Sequence, residues 1–406
     1  MKKSTGSDNT AVQKPTLVAV DADSDDTLVK QPILVAVDAG SGNIAIRFRR
    51  ERDGEIENTI IPARVCQGNA QSMALEAGTS WETEGDHGEN VVFSVVSGGN
   101  DLVNTCDPNY QSSPAHRVLV INALAQLGLG GQEIILADTL PINQFYSDLG
   151  KIDKNRLEAK RESLMKPVNN VSGQYEAPHI IDVMVYPEAI PAYVSASVTS
   201  DMKPNPDLDG AESIMVVDVG RFTCDIAVLD KTYQVVKRRT SEHGVYMMLE
   251  RVHALLQENA EKLNIAEPKE IHLESIDTFI RQGYIGSRLK SAADKRIKID
   301  EVVQQAAEEF AEIIRNDIRT VHRNLSDIDV LILVGGGANL IGGKLEYLNN
   351  CTTGWGCPVY IPDNPEFAIV RGVHMAFEID AEEIIKGWLI KQAQKEKAKL
   401  LEEKGA

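Results

Sequence analysis

The sequence from Ile33 to Phe48 combines residue types that bind phosphate groups and metal ions. An apolar run, Ile33–Val37, predicts a buried strand that ends at Asp38, and a second apolar run, Ile44–Phe48, follows a short turn. The turn consists of Ala39, Gly40, Ser41, Gly42 and Asn43. Its glycines let backbone N–H groups converge on an anion, and a carboxylate beside a phosphate requires a cation between them. The stretch predicts a β-hairpin that forms half of a Mg²⁺–phosphate site, with an ordinary surface hairpin as the alternative.

A second stretch repeats this arrangement in the other half of the chain. The apolar strand Ile214–Val217 ends at Asp218, and a second strand, Asp225–Leu229, follows a short turn. The turn contains Gly220, Arg221, Phe222 and Thr223. Two such units are much less expected by chance than one. They suggest two similar halves of the protein that face a single phosphate chain.

A third glycine-rich segment lies near the end of the chain. The predicted strand Asp329–Val334 is followed by Gly335, Gly336, Gly337 and Ala338, and then by a predicted helix, Asn339–Leu348. This order lets the backbone approach a nucleotide closely, with the N-terminus of a helix directed at it. The segment matches neither the phosphate-binding loop GxxxxGK[ST] nor the dinucleotide fingerprint GxGxxG.

Glu188 follows the predicted strand Ile180–Tyr186 and opens a short helix within Pro187–Ala192. A carboxylate at this position has two interpretations. A negative charge in the first turn of a helix interacts favourably with the helix dipole. The functional alternative is that Glu188 holds or polarises a water molecule that attacks a phosphate.

The composition limits the class of protein. The 406 residues include 43% hydrophobic and 25% charged residues, which is ordinary for a globular protein large enough for two domains. The net charge of −18 argues against direct binding to nucleic acid. No apolar run approaches the ~20 residues of a membrane helix. Five cysteines without a CxxC pair, and a polar N-terminal stretch, favour a cytoplasmic protein with reduced thiols.

The chain divides into segments of different composition. We expect an N-terminal extension (1–32), a first domain (33–200) with a variable insertion (about 66–115), a linker (201–211), a second domain (212–366), a helix that returns to the first domain (367–380) and a charged tail (381–406). The helices predicted within these segments include His116–Leu127, Lys151–Lys166 with a solvated face, Val245–Ala260, Ile299–Leu325 and Phe367–Phe377.

The N-terminal extension contains a near copy of the first strand. Thr16–Ser24 nearly repeats Ile33–Ser41, but the first copy has Asp23 where the second has Gly40. An aspartate side chain at that position would face the phosphates, so we expect the second copy to be the functional one. The first copy is interpreted as a tail or an added edge strand, and a role in regulating the site is the alternative.

The two aspartate-bearing hairpins and the triple-glycine segment, in this order, resemble the actin-like ATPase superfamily. Within it, the chain looks most like the plasmid-segregation actins of the ParM/StbA family, over Ile33 to Glu378. Further segments that carry this resemblance are Asp138–Pro141 with Tyr146, Asn155–Lys166, Pro187–Ala192, Val334–Ile341 and Asn364–Gly372. The resemblance implies an α/β, actin-like (ribonuclease-H-like) fold, with two similar α/β domains around a nucleotide cleft.

The resemblance also implies roles for individual residues. Asp38 and Asp218 would hold Mg²⁺ through water, and Glu188 would orient the water molecule that hydrolyses ATP. One side of the phosphate chain would contact Gly40, Ser41, Gly42 and Asn43. The other side would contact Gly220, Arg221, Phe222 and Thr223, with Asp225 bracing that hairpin. The nucleoside would lie against Gly335, Gly336, Gly337 and Ala338.

The function implied by the resemblance is that of a filament-forming ATPase. ATP, or alternatively GTP, would favour the polymer, and hydrolysis would destabilise it. The partners would be further copies of the chain and a DNA-binding adaptor of the ParR type at a centromere-like plasmid site, with no direct contact to nucleic acid or membrane. A small-molecule kinase, a non-polymerising ATPase of the same fold and a binding protein without ATPase activity are the alternatives.

Two positions depart from the family pattern. Actin-like proteins often carry a lysine in the second strand of the first hairpin, where this chain has Ala45. In the second hairpin, Arg221 and Phe222 replace the usual glycine and small residue. We expect the missing positive charge to come from Arg221, or from Arg47, which shares the strand face of position 45.

Overall fold

The computed structural model describes residues 31–69, 79–97, 101–199, 201–323, 325–350 and 356–405. The chain divides into a short N-terminal unit, Met1–Gln31, and one large unit, Pro32–Ala406, and all of the elements named below belong to the large unit. The predicted duplicate strand Thr16–Ser24 lies outside the described residues.

The strands of the large unit are short and numerous. In chain order they are β1 (Ile33–Ala39), β2 (Asn43–Arg49), β3 (Ile56–Pro62), β4 (Val65–Gln67), β5 (Thr79–Glu84), β6 (Asn90–Val95), β7 (Glu133–Leu140), β8 (Val168–Asn170), β9 (His179–Pro187), β10 (Ile214–Val219), β11 (Cys224–Leu229), β12 (Val235–Ser241), β13 (Tyr284–Ile285), β14 (Ile297–Lys298), β15 (Val330–Val334) and β16 (Val359–Tyr360).

The helices are of mixed length. In chain order they are α1 (Pro114–Leu124), α2 (Ile142–Phe145), α3 (Lys154–Met165), α4 (Ala189–Ala196), α5 (Val245–Glu258), α6 (Ala260–Leu263), α7 (Leu273–Gln282), α8 (Asp300–Val321), α9 (Ala338–Asn350), α10 (Ala368–Ile379) and α11 (Ala381–Gly405). Ser113 caps α1 by accepting a hydrogen bond from the backbone N–H of His116, so this helix begins before its predicted start. A π-helical turn, Ala125–Leu129, follows α1 and ends it near the predicted end.

Two five-stranded sheets with the same internal order organise the fold. The first has the order β3-β2-β1-β7-β9, and the second has the order β12-β11-β10-β15-β16. In each sheet, an antiparallel hairpin and its following strand are continued by two parallel strands on the other side. The predicted duplication of the hairpin is therefore part of a duplicated sheet, and the predicted α/β class with two similar halves is confirmed.

A smaller sheet includes strands from the predicted variable insertion (about 66–115). It has the order β4-β6-β5-β8 and is attached to α1. Trp81 on β5 is fully buried, and its Nε1 atom donates a hydrogen bond of 3.0 Å to Oδ1 of Asn122 on α1. This buried bond satisfies the indole N–H and ties the small sheet to the helix that covers the first large sheet.

Three apolar clusters pack the helices against the two large sheets. One packs α1 and part of α3 against the first large sheet, and another packs α5, α7, α8 and α9 against the second. The third joins both large sheets through α4 and α10. On β1, Val35 and Val37 belong to the first cluster and Ala36 to the third, because successive side chains point to opposite faces of a strand.

The helix α11 begins directly after α10 and returns to the first large sheet. Trp388 is 8% exposed and, with Ile384, joins the apolar cluster between the sheets. Nζ of Lys391 lies 3.2 Å from Oδ2 of Asp182 on β9. The beginning of the charged tail is therefore docked rather than wholly exposed. Among the described residues, no helix is long and apolar enough to cross a membrane.

The two central helices, α4 and α10, approach one another closely at Gly372. A Cβ atom at this position would lie 1.8 Å from the backbone oxygen of Pro191 on α4. Such a distance is far inside van der Waals contact, so α10 can lie at its observed position only with glycine at this point.

Replacing Gly372 by alanine is expected to destabilise the protein by about 2 kcal/mol, because one extra methyl group must push two packed helices apart. The matched control is Gly343→Ala on α9, where a Cβ atom would meet no heavy atom within 4 Å. That control is expected to be neutral or to stabilise by up to about 1 kcal/mol, as alanine has the higher helix propensity. Denaturant unfolding measures both, and equal stability of the Gly372 variant and the wild type would contradict the close packing.

Candidate functional site

The hairpin β1–β2 forms as the sequence pattern predicts. Asp38 pairs across the hairpin with Ala45, and Ala39 pairs with Ile44, so the predicted turn residues lie at its tip. Oδ1 of Asp38 accepts a hydrogen bond of 2.7 Å from Oγ1 of Thr139, at the end of the neighbouring strand β7. This bond orients the Asp38 carboxylate at the end of the sheet.

The hairpin β10–β11 places its own carboxylates in the equivalent position. Asp218 pairs directly with Asp225 across the hairpin, and the backbone N–H of Gly220 donates to the carbonyl of Thr223 at 2.9 Å. Asp225 is buried and accepts hydrogen bonds from the hydroxyl groups of Thr223 and Thr240. These bonds tie Asp225 to the turn and to strand β12.

The tips of the two hairpins touch. A Cβ atom at Gly42 would lie 2.4 Å from the Cβ atom of Arg221, so the arginine stem packs on the glycine backbone. The Arg221 guanidinium lies 5.5 Å from the centre of the Phe222 ring, and no ion pair joins it to a carboxylate of the described chain. The contact brings the two halves of the predicted phosphate site together and leaves a cation between them.

Glu188 lies just before α4, between the two hairpins. It is 7% exposed, and its backbone N–H donates to the carbonyl of Leu140 at 3.2 Å. Its side chain accepts no capping hydrogen bond from α4. Helix capping therefore does not account for this carboxylate.

Burial raises the pKa values of all four carboxyl groups, and two of the four are raised further by the charges of others in the group. Burial raises the pKa of Glu188 well above its ordinary value, and the charges of Asp225, Asp38 and Asp218 raise it further. Burial, with the charges of Asp38 and Asp225, also raises the pKa of Asp218 well above its usual range. Burial raises the pKa of Asp38 and the pKa of Asp225 to about 6 in each case, against hydrogen bonds that lower them. The cluster is suited to a ligand that brings positive charge.

These residues fit Mg²⁺ as a partly hydrated ion. Within the described ranges, no three His, Cys, Asp or Glu side chains come close enough to hold a metal ion by themselves. The side chains that do converge carry only oxygen donors, which Mg²⁺ prefers, and Mg²⁺ usually keeps several water molecules and binds through one or two carboxylates plus phosphates. Asp38 and Asp218 would hold the ion through water.

The triple-glycine segment meets the second hairpin. Gly335 has a φ angle of +82°, and a Cβ atom there would lie 2.3 Å from Oδ1 of Asp218. The backbone N–H of Gly337 donates to the carbonyl of Val219 at 2.9 Å. A Cβ atom at Gly336, by contrast, would meet nothing within 4 Å. Two of the three glycines thus pack closely against β10, and Gly336 faces open space.

The remaining predicted site residues lie around the tips. The carbonyl of Ser41 accepts a hydrogen bond of 2.7 Å from Oγ1 of Thr105, and Asn43 is exposed at the start of β2. Gly40 is half-buried at the tip, and Ala338 is buried at the start of α9. Phe222 packs near Tyr246 on α5, with ring centres 5.3 Å apart, so the structure gives it a packing partner outside the cleft.

The structure contradicts one expectation about charge. Arg47 does share the strand face of the buried Ala45, but its guanidinium donates to Asn58 on β3. Burial lowers the Arg47 pKa, as does the charge of Arg371 on α10. Arg47 therefore points along the sheet toward α10 rather than toward the hairpin tips, and the interpretation of Arg47 as a replacement for the missing lysine is wrong.

The sequence analysis also missed a buried lysine beneath the first hairpin. Most of α3 is exposed, as the charged pattern predicts, but Lys160 is fully buried and forms an ion pair of 2.8 Å with Asp138. A lysine among many charged residues carries no sign of burial. The available signal was Asp138, a charged residue within the apolar strand β7, because a buried charge requires a partner.

Comparisons with known proteins agree with this architecture. Residues 33–199 match the family described as plasmid segregation protein ParM, N-terminal, and residues 216–347 match archaeal actin homologue MreB-like, C-terminal. Among solved structures, the actin-like protein Alp7A is 13% identical, with a TM-score of 0.65, over 89% of this chain and 99% of that chain. No curated protein sequence matches the chain.

Two further solved structures show the same fold. An archaeal actin homologue is 20% identical, with a TM-score of 0.61, over 85% of this chain and 99% of its own. The ParM of Bacillus thuringiensis, solved with ATP, is 14% identical, with a TM-score of 0.59, over 87% of this chain and 100% of its own. The chain has the actin-like fold. Its first half is similar to the ParM/StbA plasmid-segregation actins, and its second half is similar to the archaeal MreB-like actin homologues.

The charge of the half-buried Asp218 is expected to destabilise the ligand-free protein. Because folding raises the pKa of Asp218, the folded state holds this proton more tightly than the unfolded state, and the stability present at low pH is lost as pH rises above the unfolded value near 4. Asp218→Asn should therefore be more stable than the wild type at pH 7.5, and its advantage should shrink toward pH 4. Denaturant unfolding without nucleotide or metal measures this difference.

The control for that measurement is Asp230→Asn, in the turn between β11 and β12. Hydrogen bonds from Thr232 lower the pKa of Asp230, so this variant should lose stability at pH 7.5 rather than gain it. An Asp218 variant that is less stable than the wild type at every pH would show that this carboxylate is satisfied within the protein and needs no cation.

Proposed function

We propose that this protein is an ATPase that assembles into filaments and separates plasmid DNA copies. The observation that carries the proposal is the meeting of two glycine-containing hairpins at Gly42 and Arg221, beside a cluster of buried and half-buried carboxylates. Phosphoryl transfer depends mainly on positioning and on neutralising charge. Backbone N–H groups and the Arg221 cation can position the phosphates and neutralise part of their charge. The carboxylates can hold a hydrated metal ion, which neutralises the rest.

The nucleotide would lie in the cleft with its phosphates between the hairpin tips. The turn 40–43 would contact the phosphates from one side and the turn 220–223 from the other, through backbone N–H groups. The open space at Gly336 would admit the nucleoside. When bound, Mg²⁺ would neutralise charge between the phosphates and the carboxylates of Asp38 and Asp218.

Glu188 is the residue that we assign to the hydrolytic water. Its carboxylate is buried beside the predicted metal-binding residues and is not used to cap its helix. Such a carboxylate can accept a hydrogen bond from water and orient the water toward the terminal phosphate. The positive charge of Mg²⁺ would favour the ionised form of Glu188 that this role needs.

Filament assembly is the part of the proposal that rests on the family. Residues 33–199 match a plasmid segregation protein, and a further neighbour of the same fold is described as a non-polymerisable mutant of a ParM. In this chain, α4 begins next to Glu188 and packs with α10 between the two large sheets. A change at the phosphates would therefore reach both sheets, which allows ATP binding to favour the polymer and hydrolysis to weaken it.

DNA would be attached through an adaptor of the ParR type rather than by the filament itself. The net charge of −18 disfavours direct binding to the DNA backbone. An adaptor bound to a centromere-like site would supply that contact and would join it to the end of a filament.

Glu188→Ala is expected to slow phosphate release about 100-fold or more while leaving filament assembly intact, because only the orientation of water is lost. Light scattering after addition of Mg-ATP should rise and then decay in the wild type, and should rise and persist in the variant. The control is Glu133→Ala, an exposed carboxylate at the start of β7, which should behave as the wild type. Absence of scattering in both proteins, with phosphate release only when a small substrate is added, would instead indicate a kinase.

Arg221→Ala is expected to weaken binding of Mg-ATP about tenfold, since a charge-assisted contact to a phosphate is worth roughly 1.4 kcal/mol or more. The matched control is Arg239→Ala, an exposed arginine on strand β12 of the same sheet. Isothermal titration calorimetry with a slowly hydrolysed ATP analogue gives both affinities. Unchanged affinity of the Arg221 variant would exclude this residue from the phosphate site.

A further inference from the structure

Lys160 is a buried cation that the phosphate site does not contact directly. Its ammonium group lies 2.8 Å from Oδ2 of Asp138 and 2.6 Å from Oε1 of Gln111, and it also donates to the backbone carbonyl of Thr139. An ammonium group has three donors, and three acceptors surround this one. Two hydrogen bonds and the ion pair with Asp138 compensate for the loss of hydration and hold the side chain in one position.

Two of these partners lead directly to the first phosphate hairpin. Thr139 donates from Oγ1 to Oδ1 of Asp38 at 2.7 Å. Gln111 donates from Nε2 to the carbonyl of Ala39 at 3.1 Å. Lys160 is therefore linked, through one residue on each route, to the Asp38 carboxylate and to the carbonyl that precedes the glycine turn.

The charges around Lys160 largely cancel. Asp138 neutralises it at contact distance, and the charges of the two residues act on the pKa of Asp38 in opposite directions. His116 lies 3.9 Å from Asp138, but burial and the charge of Lys160 lower its pKa well below the ordinary range and keep it neutral. Lys160 therefore acts mainly by fixing the positions of Thr139 and Gln111. Its own electrostatic effect on the phosphates is small.

We propose that Lys160 is a positioning residue. It holds Asp38 through Thr139, and the neighbouring Ala39 carbonyl through Gln111, so that Asp38 has the orientation needed to bind hydrated Mg²⁺ beside the nucleotide. The proposal rests on the proposed function of the site. It explains why a lysine is buried under a helix whose other charged residues face solvent. It also predicts that loss of Lys160 affects the metal-dependent part of nucleotide binding and not the rest.

The test uses the full chain and a double variant, Lys160→Met with Asp138→Asn. Changing both residues avoids leaving a buried carboxylate without its partner, which would be strongly destabilising. The control is Lys154→Met, at the exposed first position of α3. Binding of a slowly hydrolysed ATP analogue is measured by calorimetry with Mg²⁺ and again with EDTA.

We expect the double variant to lose about tenfold in affinity with Mg²⁺ and less than about twofold in EDTA, while the control keeps the wild-type values. A similar loss under both conditions would show a merely structural role and overturn the proposal. Wild-type affinities in the double variant would also overturn it. Failure of the wild type to bind the analogue at all would instead overturn the proposed function.

A second pair of variants keeps the proposal testable if the double variant does not fold. Thr139→Val leaves the ion pair of Lys160 intact and removes only the hydroxyl group that holds Asp38. It should show the same Mg²⁺-specific loss, and Thr139→Ser, which restores a hydroxyl group, should recover most of the affinity. Equal Mg²⁺-dependent affinities of Thr139→Val and Thr139→Ser would contradict the route from Lys160 to Asp38.

Discussion

The approach of four carboxylates, two buried and two half-buried, is the electrostatic constraint on which the rest of this structure depends. They belong to Asp38, Glu188, Asp218 and Asp225. Burial raises all four pKa values, and the charges of neighbouring carboxylates raise those of Glu188 and Asp218 further. Such an arrangement is unfavourable in isolation. It is held because each carboxylate sits at the end of a strand or helix whose position is set by apolar packing elsewhere. A ligand that brings positive charge would reduce this unfavourable electrostatic energy.

Two sheets with the same strand order hold the four carboxylates together. Each large sheet directs a hairpin to the same cleft, and α4 and α10 fill the space between the sheets. Small residues let these two helices fit between the sheets. Ala36 and Ala45 face the helices, and Gly372 lets α10 touch Pro191. The central helices therefore connect the cleft to both sheets, and a change in the charge at the cleft can alter how the two halves meet.

Positive charge is supplied in two different ways. Arg221 bridges the hairpin tips and keeps a guanidinium free of ion pairs with the described carboxylates, so it is available to a phosphate. Lys160 is fully paired beneath the sheet and acts on the site through its neighbours. The position that Ala45 occupies is buried beside the central helices and carries no charge. A site can therefore keep its charge balance while the residues that provide it lie on other elements.

The sequence by itself determined the local units of this protein. The apolar runs that end at Asp38 and Asp218 predicted both hairpins, and local turn chemistry was sufficient because each hairpin is made of neighbouring residues. The resemblance to actin-like proteins also predicted the fold. Only the tertiary structure decided the contacts between distant segments: the burial of Lys160, the turning of Arg47 toward α10, and the packing role of Gly335. Those contacts depend on which elements meet in space, and no spacing along the chain specifies that.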